Sequence, residues 1–339
     1  MTERIAALAE YLKKEKLDAA LVFDEFNVRA LTGIECDNAC LVVVPGKPAT
    51  FFTDFRYVPM VHRVAPELKV KDIKKIVFPG KKVGYEPSMS HARFLGLQKN
   101  HKGVKFVDVE PKIKELRAVK TAEEIEKIRA AELMNDMIWS LAQERFKPGM
   151  TEREMARIIQ LLMVEHGDGE AFATIVCVGK NAAECHHVPD DTKWTGKEPV
   201  LVDMGVKLNG VCADMTRNLV PAKVSKLYRK VYKTVLEANE KAIREFKPGM
   251  TGKALDKIAR DHIKAAGFGK CFGHSLGHGV GYQVHEAPNA SSKSKMKIMP
   301  GMLVTIEPGI YLEGNLGVRI EDLILATETG CEVLSHSDK

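Results

Sequence analysis

The hexapeptide FKPGMT occurs twice in the chain, at residues 146–151 and again 100 residues later at 246–251. The spaced pattern G-x-G-x-x-F follows both copies at the same distance, at 167–172 and 267–272. Each copy is typical of a helix, a Pro-Gly turn, a second helix and then strands. Because there are only two copies with a long period, the repeat predicts one pseudo-symmetric domain of two duplicated α/β halves and not a solenoid.

Both copies continue with the same kinds of polar residue. A histidine stands three residues before a proline in HHVP at 186–189 and in HEAP at 285–288. An acidic residue then stands two residues before a glycine, in DMG at 203–205 and in EPG at 307–309. We therefore expect acidic and histidine side chains to occupy matching places in the two halves.

A hairpin signal in the first half brings two of its acidic residues together. Asn209-Gly210 lies between runs of strand-like alternation, and this dipeptide is the strongest short signal for a tight β-hairpin. If these two residues form the loop, Asp203 faces Thr216 on the opposite strand. Asp203 and Asp214 then become diagonal neighbours on one face of the ribbon.

The second half predicts a similar acidic ribbon. A loop centred on Gly314 places Glu307 opposite Glu321, and Arg319 shares the face of Glu321 two residues away. A single acidic ribbon is typical of solvated surface. Two acidic pairs at matched positions in a duplicated domain would instead repel one another unless cations lie between them, which favours a site for two divalent ions.

A glycine-rich stretch, GHSLGHGVG at 273–281, offers His274 and His278 as further ligands. The stretch fits neither G-x-G-x-x-G nor the lysine-containing Walker pattern of phosphate-binding loops. The sequence also lacks the HExxH pattern of zincins, because no histidine follows His285 four residues later.

Composition restricts the class of protein. The chain has 339 residues, 45% of them hydrophobic, a length that favours two domains. Its formal charge of +6 is modest and its lysines are interspersed with other residues, so we expect no nucleic-acid partner. The start of the chain lacks a continuous apolar run, and seven cysteines form no CxxC pair. We expect free thiols, no membrane partner and a cytoplasmic location.

The first hundred or so residues alternate short apolar runs with helical stretches, which predicts a small α/β domain. Thr121 and Glu124 form a capping box, and an apolar stripe that includes Ile128 and Leu133 continues after it. We therefore predict an N-terminal domain at residues 1–120 and a second domain, which contains the repeat and its acidic and histidine residues, at residues 121–339.

The ordered set Asp203, Asp214, His278, Glu307 and Glu321, with the phrases HSLGHGVG, HEAP, TIEPGIY and VRIED, closely resembles the pita-bread (creatinase/aminopeptidase P/prolidase) metallopeptidases. The chain resembles their Xaa-Pro branch more than methionine aminopeptidase. Residues 27–33 and 115–128 are similar to the creatinase-type N-terminal domain and its linker. The resemblance implies an α/β (α+β) fold in which a pseudo-symmetric pita-bread domain follows a small creatinase-type domain.

The resemblance also implies a ligand set for each ion. One ion is expected at Asp203, Asp214 and Glu321, and the other at Asp214, His278, Glu307 and Glu321, with Asp214 and Glu321 bridging. Glu307 would in addition act as the general base. Mostly oxygen ligands with one imidazole favour Mn²⁺, with Co²⁺, Fe²⁺ or Zn²⁺ as alternatives.

Further residues of the active site follow from the same resemblance. His186, His274 and His285 are expected to line the substrate site, with His285 stabilising the oxyanion and His186 contacting the proline side. A purely structural role is the alternative for His274. Arg319 is expected to support the bridging glutamate. His187 is interpreted as a bystander, because the family's histidine aligns with His186.

The resemblance implies an exopeptidase that cleaves peptides with proline in the second position and that forms a homodimer. Two other functions stay open: a methionine-aminopeptidase-like enzyme, and a non-catalytic pita-bread module that binds peptides. The sequence does not decide between dipeptides and longer peptides as substrates.

Overall fold

The computed structural model of the chain describes residues 2–339. The chain divides into two compact units, of which the first ends at Arg117 and the second spans Ala118–Lys339. None of the helices in the described residues has both the length and the apolarity that crossing a membrane requires.

A mixed six-stranded sheet with helices forms the first unit. Its elements are α1 (Glu3–Lys14), β1 (Ala19–Val22), α2 (Glu25–Thr32), β2 (Ala39–Val43), β3 (Thr50–Thr53), α3 (Val58–Val64), β4 (Lys69–Asp72), β5 (Lys82–Tyr85), α4 (His91–Asn100), β6 (Lys105–Asp108) and α5 (Glu110–Ala118). The strand order is β4-β3-β2-β1-β5-β6. Ala20 and Val22 of β1 pack in one apolar cluster and Ala19 and Leu21 in another, so both faces of the strand are covered. The predicted α/β class of the N-terminal region is confirmed.

The second unit contains four long helices and thirteen short strands within the described residues. Its helices are α6 (Ala122–Arg145), α7 (Glu152–His166), α8 (Lys226–Glu245) and α9 (Gly252–Ala265). Its strands are β7 (Gly169–Glu170), β8 (Ile175–Val178), β9 (Val200–Met204), β10 (Val206–Leu208), β11 (Val211–Cys212), β12 (Met215–Leu219), β13 (Gly277–Gly279), β14 (Glu286–Ala290), β15 (Leu303–Ile306), β16 (Gly309–Leu312), β17 (Leu316–Arg319), β18 (Asp322–Ala326) and β19 (Cys331–Val333).

The duplication predicted from FKPGMT is confirmed in the second unit. Two helices precede six strands in the first half, and two helices precede seven strands in the second half. In each copy the Pro-Gly turn is tied to a later segment by backbone hydrogen bonds. Gly149 N donates to Trp194 O, and Gly249 N donates to Ile298 O, both at 2.7 Å. Both glycines have φ near +90°, which glycine adopts without strain, and the threonine after each turn caps the next helix.

Helix α6 differs in one respect from the sequence prediction. The capping box at its start is confirmed. Leu133, assigned to the apolar stripe, is 55% exposed, whereas Glu132 and Asn135 are fully buried. Glu132 accepts a hydrogen bond from the backbone N–H of Asp214 at 3.1 Å, and Asn135 bonds to the backbone where β9 and β10 meet. The buried face of α6 therefore satisfies backbone groups of the strands as well as packing on them.

The first unit contains a buried carboxylate that accepts three hydrogen bonds. Glu86 accepts hydrogen bonds from the backbone N–H groups of Phe23 and Asp24, at 2.5 and 3.0 Å, and from the Asn27 side chain at 2.7 Å. Arg117 donates to the same asparagine at 2.9 Å. Burial nevertheless raises the pKa of Glu86 to about 7, because desolvation of the charged form outweighs these bonds.

This shift predicts a pH dependence of stability. The folded pKa of Glu86 lies above the unfolded value, so its contribution to stability is complete below the unfolded pKa and is lost as the pH rises through about 7. We expect the free energy of unfolding of Glu86→Gln, relative to that of wild type, to be about 2.5 kcal/mol higher at pH 8 than at pH 5. Urea unfolding of both proteins at the two pH values measures this. An unchanged difference between them would contradict the prediction.

Candidate metal centre

The first acidic ribbon has the predicted register. Strands β10 and β11 are joined by a two-residue loop at Asn209 and Gly210, which have φ of 52° and 70°. These values fit a tight hairpin turn that needs positive φ at both loop positions. Asp203 of β9 pairs with Thr216 of β12, as predicted, and Asp214 immediately precedes β12.

The second acidic ribbon is also confirmed. Strand β15 pairs with β18 and β16 with β17 in a single continuous register, in which Gly309 pairs with Arg319. The turn lies around Gly314, at φ 68°. Glu307 and Glu321, between the paired segments, therefore face one another. A shift by one residue would have turned one of them to the opposite face.

His278 lies beside the acidic residues of both ribbons. Its ring Nε2 is 3.2 Å from Glu307 Oε1 and 3.6 Å from Asp214 Oδ2. One ligand atom from each of Asp214, His278 and Glu321 lies within 4.8 Å of the other two. The Thr305 hydroxyl accepts the backbone N–H of His278 and donates to Glu307, both at 3.1 Å. The structure thus brings together residues from both halves that are distant in sequence.

Arg319 donates hydrogen bonds to Asp203 and to two hydroxyl groups of the site. Its guanidinium donates directly to Asp203 Oδ2 at 2.6 Å and to Tyr311 Oη at 2.9 Å. Thr216 connects it to Glu321: the Thr216 Oγ1 accepts from Arg319 Nε at 3.0 Å and donates to Glu321 Oε2 at 2.7 Å. The direct carboxylate partner of Arg319 is therefore Asp203.

Two of the predicted substrate histidines lie near the cluster. The ring centroid of His285 is 4.1 Å from that of His278. Burial, and then the charge of His278, lowers the pKa of His285, and His186 contributes to the same lowering. His186 itself is exposed. Both imidazoles are exposed to solvent, and the ring of His285 lies against that of His278.

His274, the third predicted histidine, has a partner at each ring nitrogen. Nδ1 is 2.8 Å from Ser275 O, and Nε2 is 2.9 Å from Tyr311 Oη. Burial lowers the pKa of His274, which favours the neutral imidazole. His274 therefore holds Tyr311, which in turn contacts Arg319.

The chemistry of this cluster fits divalent cations. Burial and the neighbouring carboxylates raise the pKa of Asp214 and of Glu321 well above its usual range. Burial also raises the pKa of Asp203, whose Oδ1 is buried without a hydrogen-bond partner in residues 2–339. Divalent ions would neutralise the repulsion and coordinate this unpaired oxygen.

Comparison with known proteins establishes the family. The family described as Metallopeptidase family M24 matches residues 126–328, and the Creatinase/Prolidase N-terminal domain matches residues 4–119. The chain belongs to metallopeptidase family M24. The resemblance predicted from the motifs is confirmed, and the chain is a hydrolase of the pita-bread fold.

Several relatives match this M24 metallopeptidase over its whole length. The Xaa-Pro dipeptidase of Pyrococcus furiosus is 34% identical over 345 residues, covering 100% of this chain and 99% of its own. The solved prolidase from Pyrococcus furiosus has a TM-score of 0.90 at 34% identity and covers 98% of this chain and 100% of its own. An X-Pro aminopeptidase from Thermotoga maritima has a TM-score of 0.85 at 31% identity, with 98% of both chains covered.

Sequence reasoning missed several residues that support the site of this M24 metallopeptidase. Thr216 was predicted to face Asp203, but its hydroxyl received no role. Thr305 and Tyr311 belong to the stretch around TIEPGIY, and their hydroxyls were likewise unassigned. Glu132 was overlooked because an acidic residue in a helix is ordinarily exposed. The feature that could have identified Glu132 as buried is its position in the sequence, four residues and one helical turn after the apolar Ile128.

The buried repulsion predicts opposite effects of one substitution on stability and on metal binding. We expect Asp214→Asn to be at least as stable as wild type in metal-free buffer at pH 8, because a buried charge is removed. Saturating Mn²⁺ should stabilise wild type by about 2.7 kcal/mol at roughly 100 times Kd, and the variant much less. Thermal unfolding with and without Mn²⁺, together with elemental analysis, measures both effects.

The matched control for this substitution is Asp191→Asn, since Asp191 is an exposed aspartate. It should behave like wild type in both measurements. An Asp214→Asn protein that retains the wild-type metal content and the wild-type Mn²⁺ response would exclude Asp214 as a ligand.

Proposed function

We propose that the chain is a dinuclear-metal exopeptidase that hydrolyses the bond between an N-terminal residue and proline. The observation that supports this most is the cluster of buried carboxylates and one imidazole, with further histidines beside it. The names of the similar proteins, Xaa-Pro dipeptidase and X-Pro aminopeptidase, support proline as the second residue of the substrate.

The proposed ligands are the five residues of the cluster. Asp203, Asp214 and Glu321 would hold one ion, and Asp214, His278, Glu307 and Glu321 would hold the other, so that Asp214 and Glu321 would serve both. When bound, divalent ions supply Lewis-acid chemistry that activates water and polarises a carbonyl. Four acidic side chains around two divalent ions nearly balance the charge, which explains how so many carboxylates are tolerated below the surface.

Glu307 is the proposed general base. It accepts a proton from the water that attacks the scissile carbonyl and passes it to the leaving proline nitrogen. A hydrogen bond from the Thr305 hydroxyl to Glu307 Oε1, at 3.1 Å, supports this role because it orients the carboxylate. No protein nucleophile is required, since water forms the new bond to the carbonyl carbon while the bond to proline breaks.

The histidines and Arg319 have supporting roles in this proposal. His285 donates to the oxygen of the scissile carbonyl as negative charge develops on it. His186 contacts the carbonyl or carboxylate on the proline side. His274 acts through Tyr311, and Arg319 orients Asp203. The free amino group of the substrate lies near the carboxylates, which explains cleavage at the N-terminus only.

The finer properties are also proposals. The oxygen-rich ligand set supports Mn²⁺ as the first choice, with Co²⁺, Fe²⁺ and Zn²⁺ as substitutes. By the family resemblance we propose a homodimer that works in the cytoplasm and binds no nucleic acid.

The two alternative functions have less support. A methionine-aminopeptidase-like specificity is opposed by relatives that match the whole chain, including residues 4–119, and that are named for Xaa-Pro bonds. A non-catalytic peptide-binding module is opposed by the complete ligand set, because loss of catalysis is expected to be accompanied by loss of ligands.

The decisive experiment supplies Mn²⁺-loaded protein with three substrates, Ala-Pro, Ala-Pro-Ala and Met-Ala. We expect release of free alanine from at least one proline peptide and none of methionine from Met-Ala, because proline is the recognised second residue. Comparison of the two proline peptides measures the preferred length.

Chelation by EDTA should abolish the activity, and Mn²⁺ should restore it. Exclusive release of methionine would establish the alternative specificity. Absence of both bound metal and cleavage would instead favour the binding module.

A further inference from the structure

The loop that contains His186 also contains a buried histidine. His187 is only 9% exposed, whereas His186 is exposed and Val188 is 78% exposed. Adjacent side chains therefore point to opposite sides of the loop, one toward solvent and one into the protein. His187 was interpreted as a bystander, but a buried imidazole needs polar partners.

Glu152, at the start of α7, provides the main partner. This carboxylate is fully buried. Its Oε1 accepts from Val178 N at 2.6 Å and from the Asn181 side chain at 2.9 Å. Its Oε2 accepts from Asp190 N at 3.1 Å and lies 2.7 Å from His187 Nε2. Donors from both ends of the 178–190 segment thus converge on one side chain.

The cluster has the composition of a metal site but is accounted for by hydrogen bonds. Ligand atoms of Glu152, His187 and Asp190 lie within 4.8 Å of one another. Each Glu152 oxygen, however, already has two partners from the protein. The Asp190 carboxylate accepts from Thr192 N at 2.7 Å, and the second ring nitrogen of His187 is 3.3 Å from Glu184. The geometry is therefore that of a structural anchor.

Because His187 and Glu152 can carry opposite charges, loss of one of the two leaves the other in an unfavourable environment. Burial disfavours the imidazolium, but hydrogen bonds to Glu152 and then Glu184 outweigh it and raise the pKa of His187. An imidazolium beside a buried carboxylate balances its charge. Replacement of His187 by an apolar residue would leave Glu152 buried with an uncompensated charge, which is a costly arrangement.

Residues of the second half also contact this loop. Arg319 donates to the backbone oxygen of Cys185 at 3.3 Å. The carbonyl of Ala182 lies so close to Gly317 of β17 that a Cβ at Gly317 would collide with it. His186 therefore lies on a segment held by the first half through Glu152 and by the second half through Arg319 and β17.

The other proposed substrate histidine has a similar neighbour. Glu286 follows His285 directly and is ion-paired with Lys120 at 2.5 Å, with both side chains buried. Each of the two histidines proposed to contact the substrate is thus followed by a buried ionisable residue that is paired with a group of opposite charge.

We propose that His187 is a positioning residue: its hydrogen-bonded pair with Glu152 fixes the backbone of residues 184–190 so that His186 faces the substrate. This inference rests on the proposed Xaa-Pro peptidase function, because it takes His186 as a substrate contact. His187 does not touch the substrate and acts through its neighbour.

Three variants test the anchor by kinetics on Ala-Pro with saturating Mn²⁺. His187→Leu removes the donor to Glu152 and should lower kcat/KM on the order of tenfold, since small misplacements of a substrate contact are costly. His187→Gln keeps a donor near the position of Nε2 and should restore most of the activity. Glu184→Gln is the matched control, because it changes only the exposed contact of the same histidine and should have little effect.

A double-mutant cycle separates positioning from general destabilisation. If His187 acts through His186, then His187→Leu should cause no further loss of kcat/KM in a His186→Ala background. Losses that multiply independently in the double variant would overturn the inference, as would a His187→Gln variant no more active than His187→Leu.

Hydrogen exchange of the full metal-loaded chain provides a readout that does not depend on activity. Amides of residues 184–190 should exchange faster in His187→Leu than in wild type and should regain protection in His187→Gln. Unchanged exchange in His187→Leu would overturn the anchor. A third outcome is faster exchange in His187→Leu together with a wild-type protein that hydrolyses no proline peptide. That outcome would support the anchor and refute the proposed function.

Discussion

The buried carboxylates of the site repel one another, and the rest of the structure has to hold them together against this repulsion. Asp203 and Asp214 come from one hairpin and Glu307 and Glu321 from another, and burial with proximity raises the pKa of the two that face most negative charge. Such an arrangement is unfavourable by itself. The repulsion is tolerated where cations neutralise the carboxylates. A metallopeptidase can therefore place these four carboxylates between the two halves of its duplicated domain.

Uncharged and positive groups outside the proposed ligand set hold these carboxylates in place. Arg319 bonds to Asp203, and Thr216 connects Arg319 to Glu321. Behind them, the buried Arg217 bonds to the backbone oxygen of Glu321 and to Asp322. Because each of these bonds joins the first half to the second, the geometry of the site is a property of the duplicated domain as a whole.

Buried charged contacts also hold the two loops that carry His186 and His285. His186 and His285 lie on segments whose next residues, His187 and Glu286, are buried and paired with charged partners. In the proposed function these histidines contact the substrate, and we propose that the buried ionic hydrogen bonds fix the backbone beneath them in one conformation. Rigid anchors and exposed imidazoles are therefore complementary parts of one arrangement.

The sequence by itself determined the duplication, the register of both hairpins and the family, because identical hexapeptides and period-two pairing are local properties of the chain. It did not determine the direct partner of Arg319, the buried position of Glu132 or the contact between His187 and Glu152. These depend on which side chains of distant segments meet after folding, and no local pattern encodes that. Only the tertiary structure decided them, because burial and hydrogen-bond partners are set by packing across both halves.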